Sequence, residues 1–471
     1  MAFHSVVKVY ATTQNPNYDT PWMGTAPSSS TGSGVVIGRG QVLTGAHVVA
    51  NATFVQIQKL DAPSKVIARV AAVSHDLDLA LLEVTEPGYL AEVPVAKLGP
   101  LPKIQDRVSV VGYPVGGEEV SITEGVVSRI EVQEYAHSQR CALAVTVDAA
   151  INDGNSGGPV VLENAVVGIA FQTREGAEAI GEIVPVPLIE HFMTAVAEGR
   201  RTSLPGIGVR TMKLENPVLR RRLGLGPDDG GVLVTGVAYG GSASGHIRPG
   251  DVLLSVNGLD VAENATVLYR GQFRTAFDVV LGDHHVGDVM SAAVLRDGQR
   301  VALEIELRDG SSLVPGSQYD RSPTYLVFGG LVFQPLTRDF LEAWTKWWHQ
   351  APKELLHIYQ EGLPTEARRG VVVVAQILAD EVNVGYTSFS ETTVSSVDGV
   401  APRDIRHFAE LLAQARGPEI EICTSFGGQL LFSVEAARAA NARILERYRI
   451  PRVASEDLGR DLERALLPRE A

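Results

Sequence analysis

Cysteine, long apolar runs and nucleotide-binding motifs are scarce or missing in this sequence. Its 471 residues include two cysteines, Cys141 and Cys423, which lie far apart. A disulfide framework and a cysteine-based zinc site are therefore excluded. No apolar run approaches the roughly 20 residues that a membrane-spanning helix needs, so we predict no transmembrane segment. Phosphate-binding and dinucleotide-binding fingerprints are also missing, and we predict no cofactor, no metal and no ATP-dependent step.

Positively charged residues are fewer than negatively charged ones. Lys and Arg number 41 against 55 Asp and Glu, which gives a net charge of −14 at pH 7. A chain this acidic repels phosphate backbones, which argues against nucleic acid as its main partner. The N-terminal residues lack the basic start and long apolar stretch of a secretory signal. We therefore expect a cytoplasmic protein, although a leader trimmed from the sequence would leave the same picture.

The first 200 residues contain many short β-branched runs separated by Gly, Pro, Asn and Asp. Short strands at this spacing are typical of a β-sandwich or β-barrel. The segment ends in a helical pattern from Pro187 to Glu198. We predict a first domain over residues 1–200.

Four further segments follow by composition. Residues 204–310 form a second block, which ends in a hairpin with its turn at Asp297-Gly298. Residues 309–322 have the composition of a linker. Residues 323–453 repeat parts of the order of the second block, and residues 454–471 form a charged tail that is either a short helix or disordered.

Three motifs in the first domain carry the chemistry: TGAHVVA at 44–50, HDLDLALLEV at 75–84 and DAAINDGNSGGPV at 148–160. A serine hydroxyl is a weak nucleophile near neutral pH and needs an adjacent base, usually an imidazole. That imidazole needs a carboxylate to hold its tautomer and stabilise its cation. Each motif alone has an ordinary structural explanation, but the order His, Asp, Ser within an all-β segment favours catalysis.

The serine motif also supplies a place for a developing negative charge. Glycines on both sides of Ser156 permit a tight turn, and the N–H groups of Gly154, Asn155 and Ser156 can then point at one spot. Such preorganised donors form an oxyanion hole. The residues alone leave Asp76 and Asp78 open as the carboxylate that orients His47.

These motifs resemble the three active-site segments of HtrA/Deg-type serine proteases, and the resemblance extends along nearly the whole chain. It implies a mainly β protein, with a trypsin-like domain of two six-stranded β-barrels followed by two PDZ-type α+β domains at 204–310 and 323–453. It assigns His47 as the general base and Ser156 as the nucleophile. It prefers Asp78 as the orienting acid, because the family's Asp directly precedes Leu-Ala-Leu. Family members generally carry proline where this chain has Asp153.

By the same resemblance, the residue six positions before the nucleophile forms the base of the S1 pocket. Here that residue is Ala150, which offers no charge to a Lys or Arg side chain. We predict a preference for small or medium aliphatic P1 residues. The alternative is that the apolar wall residues simply belong to the core. The predicted walls are Ile151, Ala170, Phe171 and Gln172.

The family resemblance also implies regulation and partners. Residues 130–139 and 172–182 match surface loops that switch the site between inactive and active arrangements. In the second block, Gly206, Ile207, Gly208 and Val209 match a loop and strand that bind a peptide's C-terminal carboxylate. Predicted partners are unfolded or misfolded polypeptides and peptide C-termini. Assembly as a homotrimer or a multiple of trimers, such as a hexamer, is implied as well.

The third block departs further from the family pattern. Residues 328–333 resemble a second carboxylate loop, but the later Val397-Asp398-Gly399 lacks the preceding Gly-Asp. A degenerate module that binds an internal segment or a neighbouring subunit fits this pattern. Its insertion carries three tryptophans at helical spacing, which favours core or subunit interface over a ligand site. The tryptophans are Trp344, Trp347 and Trp348.

The sequence therefore predicts an ATP-independent serine endopeptidase that degrades unfolded or damaged proteins. Two alternatives stay open from the residues alone. The first is a chaperone or scaffold that carries a latent triad, and the second is an esterase that uses the same three residues. Replacement of Ser156 would abolish turnover in an active enzyme and leave a pure binder unchanged.

Overall fold

The computed structural model describes residues 2–60, 62–114, 119–149, 151, 154–173 and 180–468. The chain divides into two compact units. The first contains Met1–Gln14, Pro27–Val237 and Gly241–Gly310, and the second contains Asn15–Ala26, Ala238–Gly240 and Ser311–Ala471. The second block of the sequence thus packs into one unit with the first domain.

The first barrel is a closed sheet of six strands with alternating inward apolar residues. Its elements are β1 (Val6–Thr13), β2 (Ser28–Gly38), β3 (Gln41–Thr44), the short helix α1 (Ala46–Val49), β4 (Ala52–Lys59), β5 (Val66–Ser74) and β6 (Leu79–Val84). The strand order β1-β2-β3-β6-β5-β4 closes through the β1–β4 pair. Because β3 pairs with β6, the residues that follow β3 and precede β6 meet at one end of the barrel.

The second barrel repeats this arrangement. Its elements are β7 (Arg107–Gly112), β8 (Ser121–Glu134), β9 (Cys141–Val147), β10 (Pro159–Leu162), β11 (Ala165–Thr173), β12 (Gly181–Pro185) and the helix α2 (Val186–Glu198). The strands close in the order β10-β11-β12-β9-β8-β7. The predicted double six-stranded barrel and the helix that follows it are confirmed.

Half of one predicted loop, residues 130–139, is strand. Residues 130–134 continue β8 and pair with β9, with Ile130 opposite Val145 and Glu134 opposite Cys141. Only residues 135–140 leave the sheet. The local sequence is polar, but the cross-strand pairing overrides that signal.

The second block is an α+β module built on a twisted antiparallel sheet. Its elements are β13 (Pro205–Gly206), β14 (Val209–Lys213), α3 (Pro217–Arg222), β15 (Val232–Val237), β16 (Val252–Val256), β17 (Leu259–Asp260), β18 (Thr266–Tyr269), β19 (Phe273–Ala276), a 3₁₀ helix (Phe277–Asp283), β20 (Val289–Arg296), β21 (Gln299–Glu306) and β22 (Arg308–Asp309). The main sheet runs β14-β15-β16-β20-β21. The predicted turn is confirmed: Asp297 and Gly298 join β20 to β21 with φ of +49° and +76°, as a type I′ turn requires.

This module packs directly on the second barrel. The Val132 N–H donates to Thr275 Oγ1 at 2.7 Å. The rings of His191 and His285 stack with centroids 3.9 Å apart. Leu204 and Ile207 join the same buried apolar cluster as the barrel strands. A shared core explains why the first unit contains both.

The second unit is built on one antiparallel sheet with helices around it. Its elements are β23 (Leu326–Phe328), β24 (Leu331–Pro335), α4 (Arg338–Glu342), α5 (Trp347–Gln350), α6 (Lys353–Glu361), β25 (Val372–Ile377), β26 (Thr392–Val397), α7 (Ile405–Gln414), β27 (Glu419–Thr424), β28 (Gln429–Ser433), α8 (Val434–Tyr448) and α9 (Arg460–Ala465). The strands follow one another in sequence order across the sheet. The tail is packed, because Leu458 and Leu466 lie in the core of this unit.

Two features of the second unit bear on the sequence predictions. Trp344 and Trp347 pack against a small apolar cluster, whereas Trp348 is 46% exposed. The β1–β2 connection, Asn15–Ala26, also belongs to this unit. There, the Tyr18 hydroxyl donates to Asp339 at 3.1 Å, and Gln334 donates to the Tyr18 carbonyl at 2.8 Å. Nothing in the local sequence of residues 15–26 indicated this placement.

Candidate active site

His47 and Asp78 form a buried hydrogen-bonded pair at the end of the first barrel. His47 lies on α1, directly after β3, and Asp78 directly precedes β6. The imidazole Nδ1 lies 2.6 Å from Asp78 Oδ2, and the His47 backbone N–H donates to Asp78 Oδ1 at 2.8 Å. Asp78 is 1% exposed. Two bonds from one carboxylate fix both the ring and the backbone of His47, and leave Nε2 facing the other way.

The electrostatics of this pair favour its ionised form. Burial alone would raise the pKa of Asp78, but the charge and hydrogen bonds of His47, with a further contribution from His137, hold that pKa below its usual value. Burial alone would lower the pKa of His47, but Asp78 holds that pKa above its usual value. A buried anion that stabilises an imidazolium is what a general base needs when it accepts a proton.

Asp76, the alternative carboxylate, has a different position. Its Oδ2 accepts a hydrogen bond from the Leu204 N–H at 2.9 Å and lies 3.9 Å from the Arg140 Nε. Asp78 and not Asp76 therefore lies on the imidazole. The residues alone left both carboxylates open, and the family resemblance preferred Asp78.

The turn that carries Ser156 packs against the strand that leads to His47. Gly154 and Gly157 adopt φ of +98° and +80°, which favours glycine. The Ser33 N–H donates to the Ser156 carbonyl at 2.9 Å, and Ser33 Oγ donates to the Gly154 carbonyl at 2.7 Å. A Cβ on Gly157 would lie 2.3 Å from Thr44 Oγ1, so only glycine fits there. Thr44 ends β3, three residues before His47.

The imidazole and the serine turn each keep a hydrogen-bonding group without a partner among the described residues. His47 Nε2 is buried and has no hydrogen-bond partner among the described residues. Within the same part of the chain, the N–H groups of Gly154 and Ser156 donate to no carbonyl. Hydrogen bonds of catalytic groups are often long in an unliganded site and tighten when substrate binds. This arrangement can accept a proton at Nε2 and a negative oxygen at the turn.

The predicted S1 residues lie on the second barrel. Ala150 and Asp153 lie outside the described residues. Ile151 and Phe171 are buried members of the core cluster, and Ala170 is fully buried. The core alternative thus applies to their side chains, and a pocket role for them stays a prediction.

Residues of the turn between β8 and β9 contact the predicted S1 wall. This turn lies within residues 130–139, the segment that the family resemblance matches to a switching loop. The Tyr135 ring lies 4.3 Å from that of Phe171, measured between centroids. The Ala136 N–H donates to Gln172 Oε1 at 2.7 Å. His137 Nε2 lies 2.9 Å from His75 Nδ1, next to the catalytic pair. His75 opens the HDLDLALL motif and His137 lies in the predicted switching loop, but the sequence singled out neither histidine as a functional residue.

The predicted peptide-binding loop of the second block lies at a sheet edge. Gly206 is the last residue of β13, and Gly208 adopts φ of +75° just before β14. Strand β14 is an edge strand, paired to β15 alone among the described strands. The Ile207 side chain is buried, and its carbonyl accepts a hydrogen bond from the Ala243 N–H at 2.9 Å. An added strand could pair with β14 from Val209 onward.

The resemblance of residues 328–333 to a second carboxylate loop does not survive in three dimensions. Gly329 and Gly330 form the tight turn between β23 and β24, with φ of +56° and +85°. Their N–H and carbonyl groups bond within the unit, to Asn441, Asn383 and Leu378. Strand β24, which follows this turn, is paired with β23 and β25, so it offers no free edge to a peptide.

The predicted lack of a transmembrane segment concerns helix length and apolar content. Across the described ranges, no helix has both the length and the apolar content needed to cross a bilayer.

Comparison with protein families locates two known domains in the chain. The family of trypsin-like peptidase domains matches residues 32–169, which include His47, Asp78 and Ser156. The family of PDZ domains matches residues 314–457, in the block whose sequence motifs were weakest.

Similar proteins cover almost the whole chain. Putative protease Do-like 3, mitochondrial, of Arabidopsis thaliana is 34% identical over 97% of this chain and 80% of its own length. Protease Do-like 2, chloroplastic, of the same plant is 36% identical over 97% of this chain and 75% of its own length. The expected cytoplasmic location was wrong, because these relatives are named for mitochondria and chloroplasts.

Solved structures agree with the sequence comparison. The HtrA-type protease AlgW with a tripeptide is 27% identical, with a TM-score of 0.51 over 65% of this chain and 94% of that one. The same protease with a decapeptide is 25% identical, with a TM-score of 0.50. With this similarity and with the two barrels and the PDZ domain, the chain belongs to the Do-like, HtrA/Deg-type family of serine endopeptidases.

Proposed function

We propose that the chain is an ATP-independent endopeptidase that cleaves unfolded or damaged proteins by a His47–Asp78–Ser156 mechanism. The single observation that carries this proposal is the buried Asp78 on Nδ1 of His47, which leaves Nε2 without a partner among the described residues. The turn at Ser156 supports it, because the N–H groups of Gly154 and Ser156 are unused in the same part of the chain.

The proposed reaction has two similar halves. Ser156 Oγ attacks the peptide carbonyl carbon while its proton passes to His47 Nε2. The carbonyl oxygen becomes negative and is stabilised by the N–H groups of the serine turn. The C–N bond then breaks, the leaving amine takes the proton from Nε2, and an acyl-enzyme remains. Water then attacks the acyl carbon while its proton passes to Nε2. The C–O bond to Ser156 breaks, Nε2 returns the proton to Ser156 Oγ, and the acid is released.

The proposed substrate class follows from the lack of an ATP-binding motif in the sequence. The sequence contains no phosphate-binding loop with which to power unfolding, so its substrates must already be flexible. An uncharged residue at the predicted base of S1, Ala150, supports cleavage after small or medium aliphatic residues. Cleavage after Lys or Arg is not expected.

The second block supports peptide binding through its sheet edge. A peptide C-terminus would place its carboxylate at Gly206–Gly208 and its strand along β14. By family membership we infer a homotrimer or a multiple of trimers. The names of the relatives support work inside an organelle of the mitochondrial or chloroplast type.

The test is cleavage of reduced casein without ATP by the wild-type chain and two serine variants. Ser156→Ala removes the proposed nucleophile. Ser64→Ala, at an exposed position in the first barrel domain, is the matched control. We expect fragments from the wild type and from Ser64→Ala, none from Ser156→Ala, and mostly aliphatic residues at the cleaved bonds.

Other outcomes identify the rival functions. Casein that is bound but left intact by all three proteins would favour the latent chaperone. Turnover of a small ester without cleavage of casein would favour the esterase. Cleavage by Ser156→Ala at the wild-type rate would contradict the proposed mechanism.

A further inference from the structure

Two histidines outside the proposed triad, His75 and His137, lie beside it. His75 Nδ1 and His137 Nε2 are 2.9 Å apart, and the ring centroids of these two residues are 5.2 Å apart. The His137 ring in turn lies 6.3 Å from the His47 ring, at an angle of 64°. The three imidazoles therefore neighbour one another in the order His47, His137, His75.

The turn that holds His137 is fixed at several points. Tyr135 is fully buried, and its hydroxyl donates to the Leu143 carbonyl at 2.6 Å. Ser138 Oγ donates to the Asp76 carbonyl at 3.1 Å. The Tyr135 N–H also donates to the Arg140 carbonyl at 2.9 Å, which closes the turn. The place of His137 beside the triad is thus set by the fold and not by chance contact of a surface side chain.

The position of His137 affects the balance of charge around Asp78. Asp78 is buried, and within the described ranges both of its oxygens bond to His47 alone. When His47 is neutral, the carboxylate has no full countercharge in contact with it. His137 lies close enough for its charge to lower the pKa of Asp78. A buried anion of this kind attracts a proton to a neighbouring imidazole.

Two imidazoles joined by one hydrogen bond can share one extra proton, but two extra protons would set cations about 3 Å apart. The charged and titratable groups around His137 come from the helix α1, from the turn before β6, from its own turn and from β12. They are His47, His75, Asp76, Asp78, Tyr135, Arg140 and Glu182.

We propose that His137, held by His75, is a positioning residue that keeps His47 able to accept the Ser156 proton in mildly acidic medium. The positive charge of His137 balances Asp78 and opposes a proton on His47. This inference rests on the proposed function, because it concerns the general base of that reaction.

The test measures how fast a fluorophosphonate probe labels Ser156 of the full chain between pH 5 and 9. This labelling needs an unprotonated His47 but no substrate binding, so its acid midpoint reports the titration of that ring. The variants are His137→Gln, which keeps a polar group without a charge, and His75→Gln, which removes the holding partner. His4→Gln, at an exposed histidine, is the matched control, and Ser156→Ala gives the background.

We expect the midpoint of His137→Gln to rise by about one pH unit, which corresponds to an about tenfold slower relative labelling at acidic pH. His75→Gln should shift the midpoint in the same direction, and His4→Gln should leave it unchanged. A His137→Gln midpoint equal to that of the wild type would overturn the inference, even if the rate at high pH fell, because a purely structural role predicts that pattern.

If His137→Gln does not fold, as judged by the lack of a cooperative unfolding transition, the His75→Gln variant provides the test. An acid midpoint of His75→Gln equal to that of the wild type would then overturn the inference. Failure of the proposed function looks different. In that case the wild type itself is not labelled at any pH, and the inference falls with it.

Discussion

The carboxylate of Asp76 accepts a hydrogen bond from the Leu204 N–H at 2.9 Å, two residues from the carboxylate that holds His47. Asp78 adopts φ of +52°, a left-handed conformation that aspartate tolerates better than most residues. Neighbouring carboxylates thus serve two purposes: Asp78 orients the base, and Asp76 fixes the start of the second block. A matched pair of substitutions separates these purposes.

Asp78→Asn and Asp76→Asn should differ strongly in their effect on turnover. Asp78→Asn leaves His47 with the wrong tautomer and no countercharge, so kcat should fall about 10⁴-fold. Asp76→Asn changes a contact outside the reacting groups and should lower kcat less than about tenfold. Steady-state kinetics on one peptide substrate measures both. Equal losses from the two variants would contradict the assignment of Asp78.

Gly157→Ala should damage the site far more than the same change at Gly88. Both residues have similar positive φ, +80° and +84°, so both substitutions carry a similar backbone cost of about 1–2 kcal/mol. The added Cβ at Gly157 would lie 2.3 Å from Thr44 Oγ1, whereas nothing lies within 4 Å of it at Gly88. We expect a lower Tm in both variants, a larger drop in Gly157→Ala because of the added clash, and loss of casein cleavage only in Gly157→Ala. Comparable activity in the two variants would mean that the serine turn tolerates displacement.

Peptide binding by the second block should depend on a free carboxylate. A fluorescent peptide with an aliphatic C-terminus should bind the full chain, and its C-terminal amide should bind more weakly, because the N–H groups at Gly206–Gly208 favour a negative charge. Gly208→Val should weaken binding, since β-branched residues avoid a φ of +75°. Fluorescence anisotropy gives the affinities, with Gly88→Ala as the control. If neither the C-terminal amide nor Gly208→Val changed the affinity, the peptide would have to bind at another site.

Asp380 should make the thermal stability of the second unit depend on pH. Hydrogen bonds from Arg443, together with its charge and that of Arg447, hold the pKa of this carboxyl below its usual value. Its contribution is present above the unfolded-state pKa and is lost as pH falls through the folded-state pKa. Asp380→Asn should therefore lower Tm at pH 7 and show a smaller further loss than the wild type on acidification. Parallel Tm curves between pH 7 and 3 would contradict this.

The sequence predicted most of what is local. Strand positions follow from alternating apolar residues, the hairpin from Asp297-Gly298, and the helix α2 from the pattern after Pro187. The catalytic motifs are local as well, since each is a short segment around one functional side chain. These features need no knowledge of distant contacts.

What could not be predicted depends on tertiary contacts. The residues alone left Asp76 and Asp78 open, and only the family resemblance favoured Asp78. The pairing of His75 with His137 spans 62 residues of sequence. The turn at Gly329-Gly330 has the composition of a binding loop, yet a paired strand on each side of β24 closes the edge. Residues 15–26 join the second unit through contacts with residues more than 300 positions away.

The most direct test of the central claim is to identify the residue that a fluorophosphonate probe modifies, by mass spectrometry of the digested wild-type chain. The account predicts one phosphonylated peptide, modified at Ser156, and its disappearance in His47→Ala, which lacks the base. Modification at another serine, such as the neighbouring Ser33, or at no serine, would contradict the assignment of Ser156 as the nucleophile.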